Sequence, residues 1–118
     1  RKVFYVNNFS PTNSLYRRPS TDRRYYPEDA GHKTTIEVDV VTIDDYIAAE
    51  NIKRIDILKL DIQGGELMAL EGAAKTLENA GVPLIFTEIM FVAHYEGAPL
   101  FNRLWTYLQS LGYSLFSL

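Results

Sequence analysis

The apolar and polar positions divide the chain into alternating short elements. Lys2 to Val6 is a β-branched and aromatic run that reads as a strand, and "NNFSPTNS" breaks it with Asn, Ser and Pro. Residues 15–33 are polar, with Pro19, Pro27, Gly31 and two Arg-Arg pairs, and read as one long loop. Over 34–42, Ile36, Val38 and Val40 alternate with Glu37, Asp39 and Val41, the pattern of a half-buried strand. Thr42 and Asp45 resemble a capping box and predict a short helix to about Glu50. "IDILKL" (55–60) is a compact apolar run suited to a strand buried on both faces. Leu67, Leu70, Ala74 and Leu77 recur at helical spacing and predict a helix from about Gly64 to Ala80. Gly81 is its expected left-handed stop, and Pro83 bars continuation. "LIFTEI" (84–89) is the next strand, and "MFVAHYEGA" a loop. Pro99 sits near the start of a helix with Leu100, Leu104, Leu108 and Leu111 facing inward. Gly112 ends that helix and "YSLFSL" reads as a final strand.

From residue 55 the order is strand, helix, strand, helix, strand. Such alternation implies right-handed crossovers and an α/β fold with a mostly parallel sheet and flanking helices. Ligands of open α/β sheets bind beyond the carboxyl ends of the strands. Two predicted strands end there in an acid, Asp61 after "ILKL" and Glu88 after "LIFT". Gly64 and Gly65 permit a tight turn, with Gly65 leaving room where a ligand approaches. Each candidate has a plainer alternative. Glu66 is either a ligand contact or an acid favoured by the helix dipole. Asp61 is either a site carboxylate or a turn former, and Glu88 either a site carboxylate or half of a salt bridge. His94 is a candidate general base or an ordinary loop histidine, and Tyr95 lines a pocket or packs. Lys59 has no assigned role. No metal motif is present.

Composition narrows the class. The 118 residues suit one domain, and 47% hydrophobic with 23% charged residues is an ordinary globular balance. No apolar run is long enough for a transmembrane helix, and "RKVFYVNNFS" does not resemble a signal peptide. With no cysteine there is neither a disulfide framework nor a thiolate metal site, which suits a cytoplasmic location. The net charge of -3 conceals an asymmetry: residues 1–33 hold seven Lys/Arg against three Asp/Glu, and residues 34–118 five against twelve. The "YRRPSTDRRYY" stretch interleaves arginine and tyrosine as single-strand binders do, but without a matching fold signature it reads better as a lid.

Three stretches together resemble the methyltransferase family named after FkbM: "VVTIDDYI", "IDILKLDIQGGELMALEGAAKTL" and "IFTEIMFVAHYEGAPLFNRLWTYLQSLGYSLFSL". They are similar to that family's T-L-D-D element, its L-K-I-D-x-E/Q-G-x-E core, the glutamate ending the next strand, and the Y-x-G-x-x-L-F element of one branch. "FSPTNSLY" resembles the Ser-rich segment that often precedes T-L-D-D. The resemblance is close over 34–118 and looser before. It implies S-adenosylmethionine-dependent O-methylation of a sugar or natural-product hydroxyl on a Rossmann-like (class I) methyltransferase fold. "KLDIQGGE" would be the fourth strand and its turn, and "LIFTE" the fifth strand.

By the same resemblance, Asp61 would face the methyl donor and acceptor, and Glu88 would hold the substrate side. With His94, the candidate base in the loop after Glu88, they are the expected catalytic residues; Asp61 and Gln63 are expected to contact the cofactor, and Glu66, Glu88 and Tyr95 the substrate. Gln63 stands where many relatives have Glu, and Gly65 replaces a usual Ala. No G-x-G loop occurs, so the chain is expected to be the C-terminal part of a methyltransferase domain. Residues 1–33 would be a strand plus basic loop and 34–118 the strand and helix core, with the cofactor-binding half upstream; alone, the chain would bind S-adenosylmethionine poorly. The expected partner is a small-molecule or glycan acceptor, with no nucleic acid, membrane or metal, and the oligomeric state is open. Two other functions compete. One is a non-enzymatic α/β interaction module. The other is a Mg²⁺-dependent receiver-like domain, which lacks the acidic pair expected on an earlier strand.

Overall fold

A computed structural model describes residues 1–19 and 31–118. Strands β1 (Lys2–Asn7) and β2 (His32–Val38) form an antiparallel pair, with Lys2 opposite Val38 and an irregularity between Val6 and Asn7. Strands β3 (Ile57–Leu60) and β4 (Leu84–Thr87) form a separate parallel pair, with Ile57 opposite Leu84 and Leu60 opposite Thr87. Helix α1 (Ile43–Ala49) precedes β3. The crossover between β3 and β4 is made by α2 (Glu66–Glu71), α3 (Ala74–Leu77) and the 3-10 turn Glu78–Ala80. Helix α4 (Phe101–Ser110) follows β4. Among the described residues the architecture is thus mixed α/β with two small sheets, one of them parallel.

The main core lies on one face of the parallel pair. Leu60, Leu70, Ala73, Leu77, Val82, Leu104 and Leu108 are buried together, and Leu58, Ile85 and Trp105 pack against them. The opposite face remains open: Ile57 is 62% exposed and Phe86 64%. The expectation that 55–60 is buried on both faces is therefore corrected. The helices collect on one side, so only alternate strand residues are covered. Similarly, β2 begins at His32, earlier than Thr34, and is exposed from His32 to Glu37, so it is not half-buried. It pairs with β1 alone, and among the described residues nothing covers its outer face.

The helix expected over 64–80 is broken at Gly72 and Ala73, and the break has a physical cause. Thr42 caps α1 by accepting the Asp45 N–H at 3.0 Å, as the sequence predicts. Asp44, two residues on, reaches across to α3, whose own N-cap Ala73 has no side chain able to cap it. Its Oδ2 accepts the Lys75 N–H at 2.9 Å, while its Oδ1 accepts the Thr76 N–H at 3.0 Å and the Thr76 hydroxyl at 2.6 Å. The Asp44 N–H donates to the Gly72 carbonyl at 2.9 Å. The start of α1 thus satisfies the backbone groups that the break leaves open. As the chain re-enters helix, Ala73 is buried instead of the expected Ala74, which is exposed.

Two helix ends compare instructively. Gly112 has φ +89°; its N–H donates to Gln109 O, and the Tyr113 N–H to Leu108 O, the paired bonds of a Schellman stop. Gly81, the other expected left-handed stop, has φ -62°; Asn79 and Ala80 take the positive angles instead. The final strand expected over 113–118 is absent among the described residues, and Phe116 is 96% exposed. Among the described residues, no neighbouring strand pairs its backbone.

Desolvation pushes the Asp44 carboxyl upward. The Thr76 hydroxyl, the Lys75 and Thr76 amides and the Lys75 charge outweigh it, leaving the pKa below the ordinary aspartate value. A depressed folded pKa stabilises fully above the unfolded value of about 3.9 and ceases to as pH falls through the lower folded value. Asp44→Ala should cost about 1–2 kcal/mol in urea denaturation at neutral pH. The gap between variant and unaltered protein should narrow once the pH drops below about 4.

Candidate active site

Parallel pairing of β3 and β4 brings their last residues level, and the Glu88 N–H extends the ladder by donating to Leu60 O at 2.9 Å. Asp61 and Glu88 therefore emerge side by side at the carboxyl edge of the sheet. Gln63 joins them. Its Nε2 donates to Asp61 Oδ1 at 3.2 Å and to Glu88 Oε2 at 3.3 Å, and its Oε1 accepts from the Tyr95 hydroxyl at 2.9 Å. Of the residues singled out in the sequence, Asp61, Gln63, Glu88 and Tyr95 thus form one hydrogen-bonded group. His94 belongs to it electrostatically, since its charge acts on Glu88.

Burial raises the Glu88 pKa above the ordinary glutamate value, with further upward pushes from the Asp61 and Glu66 carboxylates, while His94 pulls it down. A carboxyl with raised pKa is a better proton acceptor than an ordinary glutamate. Glu66 is only 4% exposed, and its Oε1 accepts the Ile62 N–H at 2.8 Å. That bond fastens the strand-to-helix turn. Tyr95 is 1% exposed and packs with Met90 and Ala98, so it is a core residue whose hydroxyl reaches the site.

The turn itself is shaped by two residues with positive φ, Gln63 at 56° and Gly64 at 95°. A Cβ on Gly64 would lie 3.0 Å from Ala98 Cβ and 3.5 Å from Tyr95 Cδ2. The close approach therefore falls at Gly64. Gly65, where an open space was expected, faces Ile62 instead, whose Cδ1 would lie 3.2 Å from an added Cβ.

Ser14 is a residue that the sequence reading missed. Its hydroxyl donates to the Gln63 carbonyl at 2.6 Å and accepts the Tyr16 N–H at 2.9 Å. Ser14 also bridges Tyr5 through backbone bonds, which ties β1 to the turn. The only available signal was the cluster of small polar residues in "FSPTNS". The Arg/Tyr-rich stretch expected as a lid falls mainly on residues 20–30, outside the described residues. Surface hollows of about 390 Å³ along α2 and α4 and about 430 Å³ beside α1 and α3 lie away from the strand ends. Neither is lined by Asp61 or Glu88. Among the described residues, no group of three or more His, Cys, Asp or Glu side chains is arranged to hold a metal ion. None of the helices there is long and apolar enough to cross a membrane.

A parallel strand-helix-strand unit with an acid at each strand end defines an α/β protein with two carboxylates at the carboxyl edge of its parallel sheet. The family model of the methyltransferase FkbM domain matches residues 3–115, and the chain belongs to that family. No curated protein and no solved structure matches it. The protein is accordingly a methyltransferase by family.

Gly64→Ala should strain the turn and press on Ala98, lowering stability by about 1–3 kcal/mol. Urea denaturation reads this directly, and an unchanged midpoint would refute the crowding argument.

Proposed function

We propose that the protein transfers a methyl group from S-adenosylmethionine to a hydroxyl of a sugar or natural product, on a Rossmann-like methyltransferase fold. The reading rests above all on two carboxylates at the ends of adjacent parallel strands in a chain of this family. S-Adenosylmethionine, when bound, supplies an electrophilic methyl group carried on a sulfonium cation. The carboxyl edge of the sheet suits it in charge, since Asp61, Glu88 and Glu66 make that edge negative.

Asp61 takes the cofactor side and favours positive charge there. Glu88 holds the acceptor hydroxyl and receives its proton, aided by the raised pKa that burial and the neighbouring acids give it. His94, in its neutral form, is the second base within the same group. Glu66 serves by keeping the turn rigid, and Tyr95 by orienting Gln63.

Calorimetric titration of S-adenosylhomocysteine into the native gene product tests the cofactor half. Binding is expected, weakened about tenfold or more by Asp61→Asn through loss of charge complementarity. Glu88→Gln should leave that binding intact and lower methyl transfer to hydroxyl acceptors by about 10²-fold. With Glu88 intact, the acid limb of the rate profile should lie above the ordinary glutamate pKa, because the active form is deprotonated. Failure of the unaltered protein to bind S-adenosylhomocysteine would favour the interaction-module reading.

A further inference from the structure

The side-chain amide of Gln63 donates twice, to Asp61 Oδ1 and Glu88 Oε2, and accepts once, from the Tyr95 hydroxyl. Ionised carboxylates can only accept, so the amide nitrogen must face Asp61 and Glu88, and the oxygen is left for a donor. Tyr95 provides that donor, from a ring buried among Met90 and Ala98. The backbone is held as well: Ser14 donates to the Gln63 carbonyl at 2.6 Å, and Gln63 keeps a left-handed φ of 56° that few side-chain-bearing residues adopt. A strained residue whose carbonyl and side-chain amide are both engaged is pre-organised, and little of its side chain is free to grip a ligand.

We infer that Gln63 is a positioning residue that binds Asp61 and Glu88 into one acceptor pair, with the Tyr95 hydroxyl locking the amide in the orientation the pair requires. The consequence for methyl transfer rests on the function proposed above; the arrangement itself does not. A glutamate at 63 would set a third carboxylate against the other two, whereas the amide offers each of them a proton. The groups facing Glu88 are Asp61 after β3, Glu66 on α2 and His94 in the loop after β4. Gln63 therefore supplies a neutral donor within a predominantly acidic group.

The test is to follow the carboxyl carbon resonance of Glu88 against pH by NMR, which needs neither substrate nor turnover. In Gln63→Met, which keeps length but loses the donor, the Glu88 midpoint should move up, because the ionised form loses a hydrogen bond. Tyr95→Phe should move it up by less, since the amide remains but is no longer oriented. The double variant should titrate like Gln63→Met alone, because the hydroxyl, which also lies 3.4 Å from the Thr12 carbonyl, reaches Glu88 through the amide. Gln63→Glu, nearly isosteric, should give the largest upward shift and carries the test if Gln63→Met does not fold. An unchanged Glu88 midpoint in these variants, or additive effects in the double variant, would overturn the inference. Failure of the methyltransferase reading would appear separately, as absence of S-adenosylhomocysteine binding by the unaltered protein.

Discussion

Parallel pairing of β3 with β4 is the constraint from which the site follows. It sets Leu60 against Thr87, so the next residue of each strand is a carboxylate at the same edge. Partial desolvation of the Glu88 carboxylate is costly, and the like charge of Asp61 beside it adds to that cost. The surrounding structure answers with a donor and a charge: the Gln63 amide between the acids, oriented by the Tyr95 hydroxyl behind it, and the His94 charge acting on Glu88.

The turn that carries this arrangement is held from three directions. Glu66 grips the Ile62 amide from the first turn of α2, Ser14 grips the Gln63 carbonyl from the segment after β1, and Tyr95 and Ala98 close on Gly64 from the loop after β4. Elements distant in sequence thus converge on the few residues between β3 and α2. A site assembled this way depends on the helical layer beneath, where Leu70, Leu77 and Leu104 hold the crossover against the strands.

Much of this was legible where a residue's local chemistry decides its conformation. Thr42 as a cap, Gly112 as a stop, and the acids ending "ILKL" and "LIFT" all act within a few residues of themselves. Reading failed where a distant partner decides. The break at Gly72 depends on Asp44, which periodicity cannot see, and the exposure of Ile57 and Phe86 depends on which face the helices cover. Gln63 was visible as a candidate, but its bridging role needed β4 in place, and Ser14 needed the whole first segment folded back. The family resemblance supplied the chemistry, and the family match over residues 3–115 agrees with it.

The bond from the Glu88 amide to Leu60 carries a kinetic consequence. It forms only when the entire α2–α3 crossover has closed, and it sits at the point where the two acids meet. That amide can exchange its hydrogen with solvent only when β3 and β4 part locally. Its protection therefore measures how often the carboxylate edge comes apart, and links the persistence of this arrangement to a single backbone proton.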